Sequence, residues 1–322
     1  MIEACFVLPA KDDHAPDIAL EACTFTCGGS AANFACTMGR IGEPTALLSH
    51  VGTDMFSTML LDDLIAHRVD TRLVSSVTGQ SSVTAIIIEP GGERRFLSFR
   101  SPAEPDPAST DPAEALQGID WLHISGFVFQ RPSTAMRARR LMETACQQGI
   151  PVSCDPSPLL SQYAHPSDRE FWASFDVLFP NEYEATALTG QENMVEAARC
   201  LRDMGVRTVA ITLGPAGCLV ATEAGIQTHT APEVPSVLDT TGAGDAFAAG
   251  FITGRRHALD VAGCATLGHL LASHAISIIG GHGGAQPAHA LLREPMPAEV
   301  LSLVRKLAQS GAIDNDKEVE SP

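Results

Sequence analysis

Short apolar runs that break off at Gly, Pro, Ser, Asp or Asn recur along the chain: TALLSHVG (45–52), DWLHISG (120–126), IPVSCDPS (150–157), DVLFPN (176–181) and RTVAITLG (207–214). Runs of this length between turn formers predict buried strands. Between them the apolar positions recur every three or four residues, which predicts helices over 31–41, 54–67, 133–148, 183–189 and 194–204. Strands alternating with helices predict an α/β fold, a mainly parallel sheet covered by helices, with ligands at the carboxyl ends of the strands.

One stretch breaks the rhythm. SSVTAIIIEPGGERRFLSFR (81–100) is two strand-like runs around a Pro-Gly-Gly turn, which predicts a hairpin. With IALEACTFTCGG (18–29) it is expected to form a small antiparallel β lid, drawn from about 15–28 and 81–100. Residues 1–310 are expected to be one domain, and the polar, acidic 311–322 a disordered tail after a last helix at 297–309.

Composition narrows the partners. A formal charge of −17 in 322 residues argues against nucleic acid and against an anionic membrane, since both are held by a basic face. The apolar run at 270–279 is too short to span a bilayer. Nine cysteines without a CxxC pair fit reduced thiols in a cytoplasmic protein. A small-molecule ligand remains the best fit.

DTTGAGDAF (239–247) places Gly242, Ala243 and Gly244 before a helix-compatible run, so their amides can approach an oxyanion closely at a helix start. The three lysines, Lys11, Lys306 and Lys317, lie outside any GxxxxGK[ST] loop, which excludes a Walker-type ATP site. Phe247 stands where a dinucleotide fingerprint needs its third glycine, and Asp245 would repel a static pyrophosphate. A carboxylate beside an anion hole suits phosphoryl transfer: it takes the proton of an attacking hydroxyl while the amides hold the moving charge.

DTTGAGDAFAAGF resembles the C-terminal signature of the ribokinase-like (PfkB) carbohydrate kinase family, and CGGSAANFACTMGRIG (27–42) resembles its N-terminal glycine-rich signature. PNEYEA (180–185) is similar to the family's N-x-x-E motif, TLGPAGCLV (212–220) to its T-x-G-x-x-G nucleotide segment, and GGAQP (283–287) to its late turn. The resemblance implies a three-layer α/β/α fold and ATP-dependent phosphorylation of a sugar hydroxymethyl group. By it, Asp245 is the catalytic base, Gly242, Ala243 and Gly244 form the anion hole, and Gly28, Gly29 and Asn33 face the sugar. Asn181 and Glu184 would organise Mg2+ through water, although the same pair could simply cap a helix. Asn181, Thr212, Gly214, Gly217 and Gly244 would border ATP, and Asp239 and Thr241 would offer carbonyls to K+. A homodimer through the lid, with the SSVTAIII strand as the contact, is a further expectation. Nucleoside kinase and non-catalytic ligand-binding relative are the alternatives.

The family usually opens with a strand of the type xxVVGxxxxD whose acid binds substrate hydroxyls. Here register against Gly28 and Gly29 puts Glu3 in that place, so most of the first core strand is expected to be missing and its neighbour's edge exposed. His269, His274 and His282 show no metal pattern with nearby acids and are expected to be core or surface histidines.

Overall fold

In the computed structural model of the chain, described for residues 1–9, 18–89, 94–104, 110–157 and 159–318, the predicted strands and helices assemble into a layered α/β body with a separate sheet above it. The central sheet has six strands: β9 (Leu122–Ser125), β10 (Val152–Asp155), β11 (Val177–Leu178), β12 (Val209–Thr212), β13 (Cys218–Thr222) and β14 (Gly225–His229). They lie in spatial order β14-β13-β12-β11-β10-β9. β9 to β12 run parallel, and β12, β13 and β14 are antiparallel. Alternate residues leave opposite faces of such a sheet, and both faces are packed here. Val177, Phe179, Ala210 and Val220 join Phe34, Met38, Phe247, Phe251, Leu267 and Val304 in one core cluster. Leu178, Val209, Ile211 and Leu219 join Met142, Phe171, Trp172 and Leu201 in the other. The helices Ser30–Ile41, Ala243–Arg256, Val261–Ala275 and Ala298–Glu318 cover the first face, and Pro132–Gln147 and Met194–Met204 cover the second.

The upper sheet comprises β1 (Ile2–Val7), β2 (Ala22–Cys27), β7 (Val83–Ile88) and β8 (Arg94–Phe99) in the order β2-β1-β7-β8. β1–β2 and β7–β8 are antiparallel, while β1 and β7 are parallel. Two expectations change. Ile2–Val7 forms a complete strand of the lid and is not the remnant of a core strand. The SSVTAIII strand, β7, is interior, so β2 and β8 are the lid's edges. The Pro-Gly-Gly turn at 90–92 lies outside the described residues.

TALLSHVG divides into β3 (Thr45–Ala46) and β4 (Ser49–Val51), which pair with β5 (Val69–Asp70) and β6 (Val74–Ser76) in two short parallel ladders. They do not extend the central sheet. Among the described residues no strand pairs with the outer edge of β9, the edge expected to be open. Here Trp121 donates from Nε1 to Ser153 Oγ at 2.9 Å, and His123 stacks on Phe34 with ring centroids 3.9 Å apart. Full burial pulls the His123 imidazole down to about 3, so the ring packs neutral against this face of the sheet. The last helix continues to Glu318, through part of the stretch expected to be disordered, and 319–322 lie outside the described residues. Among the described residues no helix is long and apolar enough to cross a membrane.

Candidate active site

The parallel strands deliver their carboxyl ends to one side of the sheet, and the glycine-rich start of the helix Ala243–Arg256 meets Asp155 there, at the end of β10. Gly242 is the N-cap of the helix Ala243–Arg256 with φ +77, a left-handed conformation that favours glycine. A Cβ on it would lie 1.7 Å from the carbonyl oxygen of Gly281. Both backbone geometry and the packing of loop on loop therefore require glycine. Asp245 falls in the first turn of this helix and is buried. Of the three proposed anion-hole amides, that of Ala243 donates to Thr240 O, at 3.3 Å.

Asn33 comes from the first glycine-rich segment, where Gly29 (φ +105) caps the helix Ser30–Ile41. Its Nδ2 donates to Asp245 Oδ2 at 2.8 Å across 212 residues of sequence. The two signatures therefore meet at one hydrogen bond. Burial raises the Asp245 carboxyl to about 7, the charges of Glu3 and Glu184 push the same way, and the Asn33 hydrogen bond opposes them.

Glu3 projects from β1 against Gly28, where a Cβ would come within 2.3 Å of its carboxyl carbon. It is buried, and its Oε2 has no hydrogen-bond partner among the described residues. Burial, then the charge of Asp239, raises its pKa; His282, the chain's amino terminus and the Gly281 backbone oppose this. Asp239 ties two loops together: its Oδ1 accepts from the amide and hydroxyl of Thr241, at 2.9 and 2.7 Å, and its Oδ2 from the Gly280 amide at 3.0 Å.

A second group of acids lies alongside. Asn181 and Glu184 form a capping box: Asn181 Oδ1 accepts from the Glu184 amide at 2.9 Å and Glu184 Oε2 from the Asn181 amide at 3.0 Å. The capping expectation for this pair thus holds structurally. Asn181 also bridges to Thr212 at the end of β12. Sequence inspection missed Asp155, at the carboxyl end of β10. Its Oδ2 is 3.7 Å from where a Cβ on Gly244 would stand, and burial, followed by the charges of Asp245 and Glu184, raises its pKa well above the usual carboxylate range. The only signal was the strand-final Asp in VSCDPS. Gly214 and Gly217 shape the turn from β12 into β13; Gly217 packs against His229 O, whereas Gly214 faces open space.

The histidines depart from expectation in part. His282 Nε2 lies 2.8 Å from Asp63 Oδ2, and His274 Nε2 lies 3.6 Å from Glu294 Oε1, so both have an acid beside them. His269 is buried and pulled down to about 4 by burial, as a core histidine should be.

Residues 6–288 match the model of the pfkB family carbohydrate kinases. An ATP-dependent ribose-1-phosphate kinase of Halopiger xanaduensis is 34% identical over 229 residues, covering 70% of this chain and 72% of that protein. Among solved structures, Arabidopsis thaliana ribokinase complexed with ribose and ATP aligns with a TM-score of 0.76 at 20% identity, covering 94% of this chain and 96% of that one. An Escherichia coli structure in complex with ATP and Mg2+ aligns with a TM-score of 0.76 at 19% identity, covering 96% of each chain. The layered α/β architecture and the match over most of the length define a kinase of small carbohydrates. The chain belongs to the pfkB family of carbohydrate kinases.

Proposed function

We propose that this protein transfers the γ-phosphoryl group of ATP to a hydroxymethyl group of a sugar. The observation that carries this reading is the Asn33–Asp245 hydrogen bond, which sets the acid of the helix start against the glycine-rich segment beneath the lid. Asp245 takes the proton of the attacking hydroxyl. The acceptor oxygen forms the new bond to phosphorus as the bond from the γ-phosphorus to the ADP oxygen breaks, and the main-chain N–H groups of Gly242 and Gly244, joined by that of Ala243 in exchange for its long bond to Thr240 O, hold the charge on the moving group. The unpartnered Oε2 of Glu3, with Gly28, Gly29 and Asn33, receives the other sugar hydroxyls.

Asn181, Thr212, Gly214, Gly217 and Gly244 border ATP in this reading. Asp155 and Glu184 fit Mg2+, because buried carboxylates held near one another favour a hard cation with oxygen ligands. When bound, Mg2+ supplies charge neutralisation on the phosphates. The carbonyls of Asp239 and Thr241 are assigned to K+ by family position alone. A cytoplasmic location suits an enzyme that uses ATP and whose nine cysteines include no CxxC pair.

The test is a panel of sugars, ribose 1-phosphate and nucleosides with coupled ADP detection, run on wild type and Asp245→Asn. Wild type should turn over a sugar, and the variant should lose about 10²–10⁴-fold in kcat while retaining ATP binding. An unchanged rate in Asp245→Asn removes the base assignment. Turnover confined to nucleosides replaces sugar by nucleoside as the acceptor class.

A further inference from the structure

The amide of Asn33 has two ends. One is spent on Asp245; the other, Oδ1, lies 3.0 Å from His282 Nδ1. His282 opens onto a group of side chains that the phosphoryl chemistry does not use. Cys36 lies one turn beyond Asn33 on the helix Ser30–Ile41. Asp63 and His67 stand four residues apart at the end of the helix Phe56–Ala66, a spacing that puts both on one face. His282 comes from the segment after the helix Val261–Ala275. One ligand atom from each of these four residues lies within 4.8 Å of all the others.

We propose that Cys36, Asp63, His67 and His282 bind one Zn2+ ion in a site separate from the ATP and Mg2+ machinery. The donor set is one thiolate, one carboxylate and two imidazoles. Mg2+ and K+ take oxygen ligands, whereas sulfur with imidazole suits Zn2+, which takes four such ligands at tetrahedral corners.

The outer contacts of both histidines match this role. His67 Nδ1 is 2.7 Å from the backbone carbonyl of Asp63, and so donates to it. Asn33 gives its N–H to a carboxylate, so its oxygen must accept, and His282 Nδ1 must carry the proton it offers. Each ring is thereby left with Nε2 for a metal. The rings stand perpendicular, edge to face, with centroids 4.8 Å apart, and so do not stack on one another.

Bonds of about 2.0–2.3 Å give tetrahedral edges of roughly 3.3–3.8 Å. The four atoms close on an ion with shifts of about an ångström. The present His282 Nε2 contact with Asp63 Oδ2, at 2.8 Å, would be exchanged for two bonds to the metal. An entry route exists, because Asp63, His67 and His282 line a cavity of about 290 Å³ with Phe25, Met59 and Ile279. On binding, the Cys36 S–H bond breaks, a Zn–S bond forms, and the proton leaves to water. Any proton on His282 Nε2 leaves with it. Burial and the charge of Asp63 otherwise keep this thiol protonated. The filled site would join three segments and fix the ring that orients Asn33, so the ion positions the active site and takes no part in the transfer.

The test uses the full chain, stripped of metal and then titrated with Co2+ or Zn2+. The expected result is one Co2+ per chain, with visible bands of tetrahedral intensity and a thiolate charge-transfer band, displaced by Zn2+ and not by excess Mg2+. Cys36→Ser should lose the charge-transfer band. His67→Gln should weaken binding by at least about 10-fold, with the circular dichroism of wild type. His274→Gln, outside the group, should bind as wild type does. Absence of stoichiometric Co2+ and Zn2+ binding overturns the proposal and leaves the His282–Asp63 contact as a structural hydrogen bond. A charge-transfer band that survives in Cys36→Ser overturns the ligand set, since Cys27 also lines the cavity.

Discussion

The protonation of one carboxyl group governs the proposed chemistry. With Asp245 raised to about 7, the group is half protonated near neutral pH, and only the ionised form can accept a proton. kcat/KM should therefore fall as pH drops through about 7. Because the Asn33 donor stabilises the ionised form, Asn33→Ala should move that limb to higher pH, and a pH–rate profile of the two proteins checks it. A limb that stays in place or moves down would remove Asn33 from this role. Asp245 and its glycines adjoin one another in the sequence, so their chemistry could be proposed from the sequence alone. Asp155, Asp63 and His282 were not legible there, since each acquires its partner from a distant segment: His282 meets Asp63 across 219 residues and Asn33 across 249.

Among elements, the turn into the helix Ala243–Arg256 is the least tolerant. Gly242→Ala adds a methyl group in a left-handed conformation and against a backbone oxygen, so it should cost about 2–4 kcal/mol and lower kcat by about 10²–10³ through misplaced amides. Gly214→Ala meets strain at φ +54 but no neighbour within 4 Å, and should cost only about 1 kcal/mol. Chemical denaturation of both variants gives the comparison. The helices and the strands β9 to β12 were readable because amphipathic period and turn residues act locally. The fate of MIEACFV was not. A short, mostly apolar strand such as Ile2–Val7 pairs equally well in a core or a lid, and here it is held by Ala22–Cys27 on one side and Val83–Ile88 on the other.

For the molecule as a whole, the lid presents unspent apolar surface. Phe25 on one edge strand and Phe96, Leu97 and Phe99 on the other are 46–60% exposed. We propose that lids of two chains pair through the β8 edge, which pairs with no further strand among the described residues and carries apolar side chains. Sedimentation should give a dimer for wild type and a monomer for Phe96→Ser/Leu97→Ser. A monomeric wild type would end this reading. The acidic surface was visible from composition alone, but which strand forms the edge depends on the order β2-β1-β7-β8, which no local pattern encodes.

β1 carries Glu3, and β2 runs through Cys27 directly into Gly28 and the helix bearing Asn33. In the proposed reading the cover and the hydroxyl-reading groups are thus coupled along the chain, with only Gly28 and Gly29 between β2 and the helix. Any tilt of the sheet displaces Glu3 and Gly28 along with it. Under the proposed function, a sugar of the wrong shape would be penalised twice, once through lost contacts and again through a cover that cannot seat, so discrimination would grow faster than the number of mismatched hydroxyls.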